Sequence, residues 1–218
     1  MLNEVPGMEI EAKFYLPDPE EFRRRLAASG ATAMRGPLLE RNWRFDDDRA
    51  SLTQQGLVLR LRIDDAARLT FKAPSAVAEV RQESEFEVSD PEAARDLLAG
   101  LGYHPVWAYE KQRTVYHLAS ADVMIDVLPF GTFVEVEAGS LEAVEAVARR
   151  LGLDWRRRLP ASYWALFTRV QEARRLPFRD ATFADFIGQP PVRPEELGAS
   201  DGLTAPPDRY PAGEKDNR

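Results

Sequence analysis

The chain has 218 residues, 44% hydrophobic and 10% aromatic, with 29 Lys and Arg against 36 Asp and Glu and a formal net charge of −7. This content excludes disorder throughout and supplies a core for one large domain or two small ones. Cysteine is absent and histidine is limited to His104 and His117, which excludes disulfides, thiolate metal sites, cysteine nucleophiles and a histidine-built metal cage. No apolar run nears the roughly 20 residues of a membrane span. The first residues carry no charged-then-apolar signal pattern, so a cytoplasmic protein is expected. The acidic balance argues against nucleic acid or an anionic membrane as partner, but leaves room for a local basic pocket.

In chain order, period-two alternation predicts a strand at about 8–16. Asp18-Pro19-Glu20 then opens a helix that ends near Gly30. Asp caps free N–H groups, Pro fits the first turn, Glu suits the positive dipole end and Gly suits the left-handed stop. Strands are expected at 42–46, 57–63, 68–73 and 81–88. A second helix starts at Asp90-Pro91-Glu92 and ends near Gly100 or Gly102. Strands at 112–118, 122–128 and 132–138 follow, the last two joined by a hairpin turn at Leu128-Pro-Phe-Gly131. A third helix runs from Ser140 to near Gly152. A fourth starts near Ser162 and carries Tyr163, Leu166, Phe167 and Val170 at helical spacing. A weak internal repeat runs through this order, with Glu9-x-Glu11, Glu85-x-Glu87 and Glu135-x-Glu137 each leading into a capped helix. Residues 177–218 hold seven of the 16 prolines and cannot order themselves alone. The expected organisation is a folded domain at 1–176 and a Pro-rich, partly disordered accessory tail at 177–218, with an apolar patch at Phe183–Ile187 suited to docking.

Residues i, i+2 and i+4 of a strand share a face. On that rule Glu9, Glu11 and Lys13 share one face of the first strand, opposite Ile10, Ala12 and Phe14. Arg60 and Arg62 oppose Leu59, Leu61 and Ile63; Lys72 opposes Phe71; Glu83, Glu85 and Glu87 oppose Phe86 and Val88. Lys111 and Arg113 share a side with Val115, Asp126 opposes Ile125 and Val127, and Glu135 and Glu137 oppose Val134 and Val136. For any one strand, a solvated face explains this best. Collectively, the amphipathic helices (Phe22 and Leu26; Leu97, Leu98 and Leu101; Val144 and Val147) need the apolar strand faces. The charged faces are then left to meet inside a sheet that curls closed, as in a barrel of about eight strands. Buried charge of both signs must be paired or bind something charged. Grouped carboxylates suit Mg²⁺ or Mn²⁺, and grouped Arg and Lys suit a phosphate chain.

Glu9-x-Glu11-x-Lys13, Arg60-x-Arg62, Lys72, Glu85-x-Glu87, Lys111-x-Arg113, Asp126 and Glu135-x-Glu137, taken in this order, resemble the CYTH family, also called the triphosphate tunnel metalloenzymes. That family contains class IV adenylate cyclases, thiamine triphosphatases and inorganic triphosphatases, and the resemblance covers roughly residues 8–170. It implies an α+β fold, an eight-stranded antiparallel tunnel, in which a small polyphosphate or nucleotide binds with Mg²⁺ or Mn²⁺. It implies metal ligands at Glu9, Glu11, Asp126, Glu135 and Glu137, and phosphate contacts at Arg60, Arg62, Lys72, Lys111 and Arg113. Lys13, Glu85 and Glu87 take supporting or catalytic roles, orienting water or a second metal. Hydrolysis of a triphosphate is the first expectation, with adenylate cyclase or a non-catalytic binding module as alternatives. A homodimer stays open as the assembly. Two positions depart from the family pattern. Arg44-Phe45-Asp46-Asp47 stands where many members read Tyr-Phe-Asp-Thr, and Ala161 stands where many place Lys or Arg before Ser-Tyr. The Arg156–Arg158 run could replace that cation or be a solvated turn.

Other motifs carry less. Gly100-x-Gly102 meets Pro105 where a dinucleotide fingerprint needs its third glycine, and it reads as a helix stop. Neither a Walker A sequence nor a G-x-S-x-G elbow is present. His104 reads as a loop residue and His117 as a strand residue buried and satisfied. Trp43, Trp107, Trp155 and Trp164 read as core or rim.

Overall fold

A computed structural model describes residues 8–204. Its strands are β1 (Met8–Tyr15), β2 (Thr32–Asp46), β3 (Val58–Ile63), β4 (Ala67–Pro74), β5 (Val80–Glu87), β6 (His104–Leu118), β7 (Ala121–Leu128) and β8 (Gly131–Ala138). They close into an antiparallel barrel in the order β1-β5-β4-β3-β2-β6-β7-β8. The helices are α1 (Pro19–Ala28), α2 (Ser51–Gln54), α3 (Pro91–Gly100), α4 (Leu141–Arg150), α5 (Tyr163–Arg174) and α6 (Pro194–Leu197). The expected eight-stranded α+β barrel is the observed one.

Local chemistry accounts for the helix starts. The Asp18 side chain accepts from the Glu21 N–H at 2.9 Å, and Asp90 accepts from Glu92 and Ala93 at 3.0 Å each. Ser140 and Ser162 accept from Ala143 and Ala165, both at 3.2 Å. These bonds satisfy donors that a helix leaves free at its first turn.

Strands β2 and β6 are each longer than the sequence pattern suggests. Gly36-Pro37 in β2 and Pro105 in β6 read as breaks, because proline cannot donate to a ladder. The barrel accommodates them beside register shifts, between Ala33 and Leu38 and between Arg44 and Phe45. Gly36 sits at φ +115 against β6, where a Cβ would lie 2.5 Å from the Arg113 carbonyl oxygen. His104, expected in a loop, therefore begins β6 opposite Asp46.

Apolar strand faces point outward and are covered by helices. Phe22 and Leu26 of α1 and Val144, Val147 and Ala148 of α4 bury against Phe14, Val123, Ile125, Val134 and Val136. Leu98 of α3 packs with Phe45 and Leu61. The expectation that Leu97 and Leu101 join it fails: they are 64% and 66% exposed, because α3 meets the barrel along a single narrow line. Phe71 and Phe86, on the outer faces of β4 and β5, are also exposed.

A second apolar cluster joins Tyr15, Trp107, Tyr109 and Phe133 to Tyr163, Leu166, Phe167 and Val170 of α5, and to Ala181 and Leu197. The Pro-rich segment up to 204 is pinned by backbone bonds. The Ala181 N–H donates to Ala108 O at 2.8 Å, and the Glu110 N–H donates to Ala181 O at 3.0 Å, using the part of β6 that precedes its pairing with β7. Phe186 packs against Phe178 with ring centroids 5.3 Å apart, while Ile187 is 81% exposed. The remainder of the expected tail, 205–218, lies outside the described residues. Among the described residues no helix is long and apolar enough to cross a membrane.

Candidate active site inside the barrel

Because the apolar faces point outward, the alternate residues of each strand point inward and line a cavity of about 530 Å³. Of the residues singled out from sequence, Glu9, Glu11, Lys13, Arg60, Arg62, Lys72, Glu85, Lys111, Arg113, Glu135 and Glu137 all line it. Two do not. Glu87 sits at the end of β5 with its side chain 69% exposed and paired to Arg68, so the sequence expectation of a tunnel role is corrected by its position. Asp126, on the inward side of β7, is fully buried beneath the lining side chains, where it accepts from Lys111 at 3.0 Å, Arg113 at 2.7 Å and the Tyr163 hydroxyl at 2.9 Å.

Most of the inward cations are held by carboxylates. Lys13 lies 3.0 Å from Glu135, Arg60 and Arg62 lie 3.6 and 3.1 Å from Glu85, and Lys72 bridges Glu9 and Glu83. Lys111 adds Glu40 at 3.3 Å to its bond with Asp126, and Arg113 reaches both Asp126 and Glu135. Burial alone would raise the Glu135 carboxyl, but Lys13, Arg113 and Lys111 outweigh it and hold that group well below its usual range. Burial would lower the Lys13 ammonium, but Glu135 and Glu11 push it up instead.

Two carboxylates further along the same β1–β8 ladder are less well neutralised. Glu11 and Glu137 face each other across the β1–β8 ladder. Burial, then Glu9 and Glu11, push Glu137 up to about 7. Burial and Glu135 likewise raise Glu11. Like charges held opposite one another destabilise a sheet. Among the described residues no three acidic or histidine side chains form a ready-made ligand cluster. The donor chemistry nevertheless suits a hard divalent cation, since mutually repelling carboxylate oxygens are what such an ion neutralises.

Several residues that line the cavity (Arg44, Tyr109, Arg158) or lie buried on the same strand as one of them (Glu40, Asn42, Asp46) escaped the sequence reading. Glu40, Asn42, Arg44 and Asp46 alternate with Arg41, Trp43 and Phe45 along β2, and all four are buried. Tyr109 shares the inward face of Lys111, and its hydroxyl lies 3.4 Å from Arg60 Nη1. Arg158 lines the cavity and pairs with Glu79 at 2.6 Å, whereas Arg156 and Arg157 are exposed and pair with Asp154. The same alternation rule covers Asn42, Arg44 and Asp46 within the expected 42–46 strand, and adds Glu40 once that strand's full length is known. His117, expected to be buried, is exposed and bonded to Asp122 at 2.8 Å.

Three similarities bear on this arrangement. An adenylate cyclase CyaB of Aeromonas hydrophila is 32% identical over 132 residues, 59% of this chain and 67% of the relative. A conserved hypothetical protein of Pyrococcus furiosus shares the fold with TM-score 0.62 and 28% identity, over 71% of this chain and 97% of that one. HpAC1 of Hippeastrum, described as having a dominant triphosphatase activity, superposes with TM-score 0.54 at 21% identity, over 73% of this chain and 95% of its own. The CYTH domain family matches residues 7–158, a span holding all eight strands and every charged motif that faces the cavity. This chain belongs to the CYTH domain family.

Proposed function

We propose that the tunnel is a metal-dependent active site that hydrolyses a triphosphate: inorganic tripolyphosphate, thiamine triphosphate or a nucleoside triphosphate. One observation carries this reading. Buried cations and poorly neutralised carboxylates share a single cavity, with Arg60, Arg62, Lys111 and Arg113 on β3 and β6, with Glu11 and Glu137 on β1 and β8, and with Glu9 beside them, paired to Lys72. Bound Mg²⁺ or Mn²⁺ supplies a Lewis acid that neutralises phosphate oxygens. Glu9, Glu11 and Glu137 would hold it. Glu135 and Asp126 keep Lys13, Lys111 and Arg113 charged and fixed in place. Arg60, Arg62, Lys72, Lys111 and Arg113 grip phosphate oxygens and stabilise charge on the transferring group. Lys13 and Glu85 orient the attacking water. The described triphosphatase activity of HpAC1 supports hydrolysis.

The name of the Aeromonas relative favours a second reading, adenylate cyclase. There the 3′-hydroxyl of ATP attacks the α-phosphate, giving cyclic AMP and pyrophosphate. Purified protein with Mn²⁺ and either tripolyphosphate or ATP distinguishes the two. Free phosphate is expected; cyclic AMP would establish the cyclase instead, and absence of both products would leave a non-catalytic binding module.

A further inference from the structure

Two cavity cations stand apart from the paired ones. Arg44 is 8% exposed, and Arg81 lies half-buried on β5; among the described residues neither has a carboxylate within ion-pair distance. Arg44 is nonetheless fixed. Its Nη2 donates to Thr53 Oγ1 at 3.1 Å and to the Leu57 carbonyl at 3.2 Å, while its Nε is buried without a partner. The nearest acid on its strand, Asp46, is occupied with the N–H groups of Asp47, Leu52 and Thr53 and the Thr53 hydroxyl. A buried cation left unpaired is costly, so a site that retains one is prepared for an anion. Burial lowers the Arg44 pKa, and the positive charge of Arg81 acts in the same direction.

We propose that Arg44 and Arg81 form an anion subsite beside Arg60 that takes the second free phosphate end of linear tripolyphosphate, so that the tunnel prefers it to a nucleoside triphosphate. This rests on the triphosphate reading above. Arg44 faces Arg60 directly across the β2–β3 ladder, so the subsite continues the phosphate grip by one position. A guanidinium fork matches a terminal phosphate. A nucleoside would need an open aromatic face at this end, and those present are already covered. The Arg44 guanidinium lies 5.3 Å from the Trp164 ring centroid, and Trp107 is stacked by Tyr109 at 4.3 Å and Phe167 at 6.0 Å. Ala161 contributes no cation there, and Arg158 is held by Glu79.

The test is calorimetric titration of tripolyphosphate and of ATP, in EDTA at fixed salt, into wild type, Arg44→Gln, Arg81→Gln and Arg60→Gln. Each variant is first checked by its melting transition, and Arg81→Gln, on a half-exposed strand position, guards against misfolding of the buried Arg44 variant. Loss of one charge-assisted contact predicts tripolyphosphate affinity down about 10- to 100-fold in Arg44→Gln and Arg81→Gln, with ATP affinity changed less than about 3-fold. Equal losses for both ligands overturn the subsite, as does unchanged tripolyphosphate affinity in both variants while Arg60→Gln loses it. Tripolyphosphate binding that survives Arg60→Gln places the fault in the proposed function instead.

Discussion

The hydroxyl of Tyr163 donates to Asp126 Oδ2 at 2.9 Å, tying the first turn of α5 to the carboxylate that also holds Lys111 and Arg113. Burial, with Asp126 beside it, holds the Tyr163 phenol well above its ordinary pKa, so it remains a donor. Tyr163→Phe leaves Asp126 with both cations and should cost roughly 1–2 kcal/mol in denaturant unfolding. Asp126→Asn removes the buried carboxylate that Lys111 and Arg113 share, leaving them to Glu40 and Glu135, and should cost more, about 3–5 kcal/mol. A reversed order would contradict the placement of Asp126 as the shared anchor.

Glu9 and Arg60 stand on opposite sides of the proposed chemistry, one for the metal and one for phosphate. Arg60→Ala should lower tripolyphosphate turnover by about 10²–10³, as loss of a charge-stabilising donor does. Glu9→Ala should also release Lys72, which it pairs, and weaken the response to Mn²⁺. Retained phosphate release in both variants would remove the tunnel as the active site.

Glu137 is the group whose charge the metal should control. Its folded pKa is raised from 4.5 to about 7, so the folded state holds the proton more tightly than the unfolded one. Stability from this group is full below pH 4.5 and is lost as pH rises through about 7. A divalent cation that binds the carboxylate offsets the loss. The rise in melting temperature on adding Mg²⁺ or Mn²⁺ should therefore be larger near pH 8 than near pH 6, and Glu137→Gln should flatten the difference. A metal-induced shift equal at both pH values would count against Glu137 as a ligand.

Glu196 behaves in the opposite sense. Hydrogen bonds from Arg174 and from the Arg193 N–H lower its pKa from 4.5 to about 2. Its contribution is present above pH 4.5 and lost as pH falls toward 2. Arg174 also donates to the carbonyls of Pro190 and Pro191, so acid should loosen this segment from α5. Hydrogen exchange at Gly198 and Ala199 should rise in that range for wild type, and Glu196→Gln should show the faster exchange already at neutral pH.

Much of this molecule is written in short-range sequence pattern. Alternation in Glu9-x-Glu11-x-Lys13, Arg60-x-Arg62 and Glu135-x-Glu137 predicted both the strands and their charged faces. Asp18, Asp90, Ser140 and Ser162 marked four helix starts, because capping is a contact between near neighbours. The helices' demand for apolar cover implied that the charged faces turn inward. Tertiary structure decided what depends on register and neighbours far apart in the chain. It lengthened β2 past Gly36-Pro37 and so added Glu40 to the buried set, and it set Asp126 beneath the cavity-lining side chains and Glu87 at the exposed rim. It also separated paired cations such as Lys13 and Lys111 from Arg44 and Arg81. The reason is physical: whether a charge is compensated depends on residues brought within a few ångströms by barrel closure, and no spacing along one strand encodes that distance.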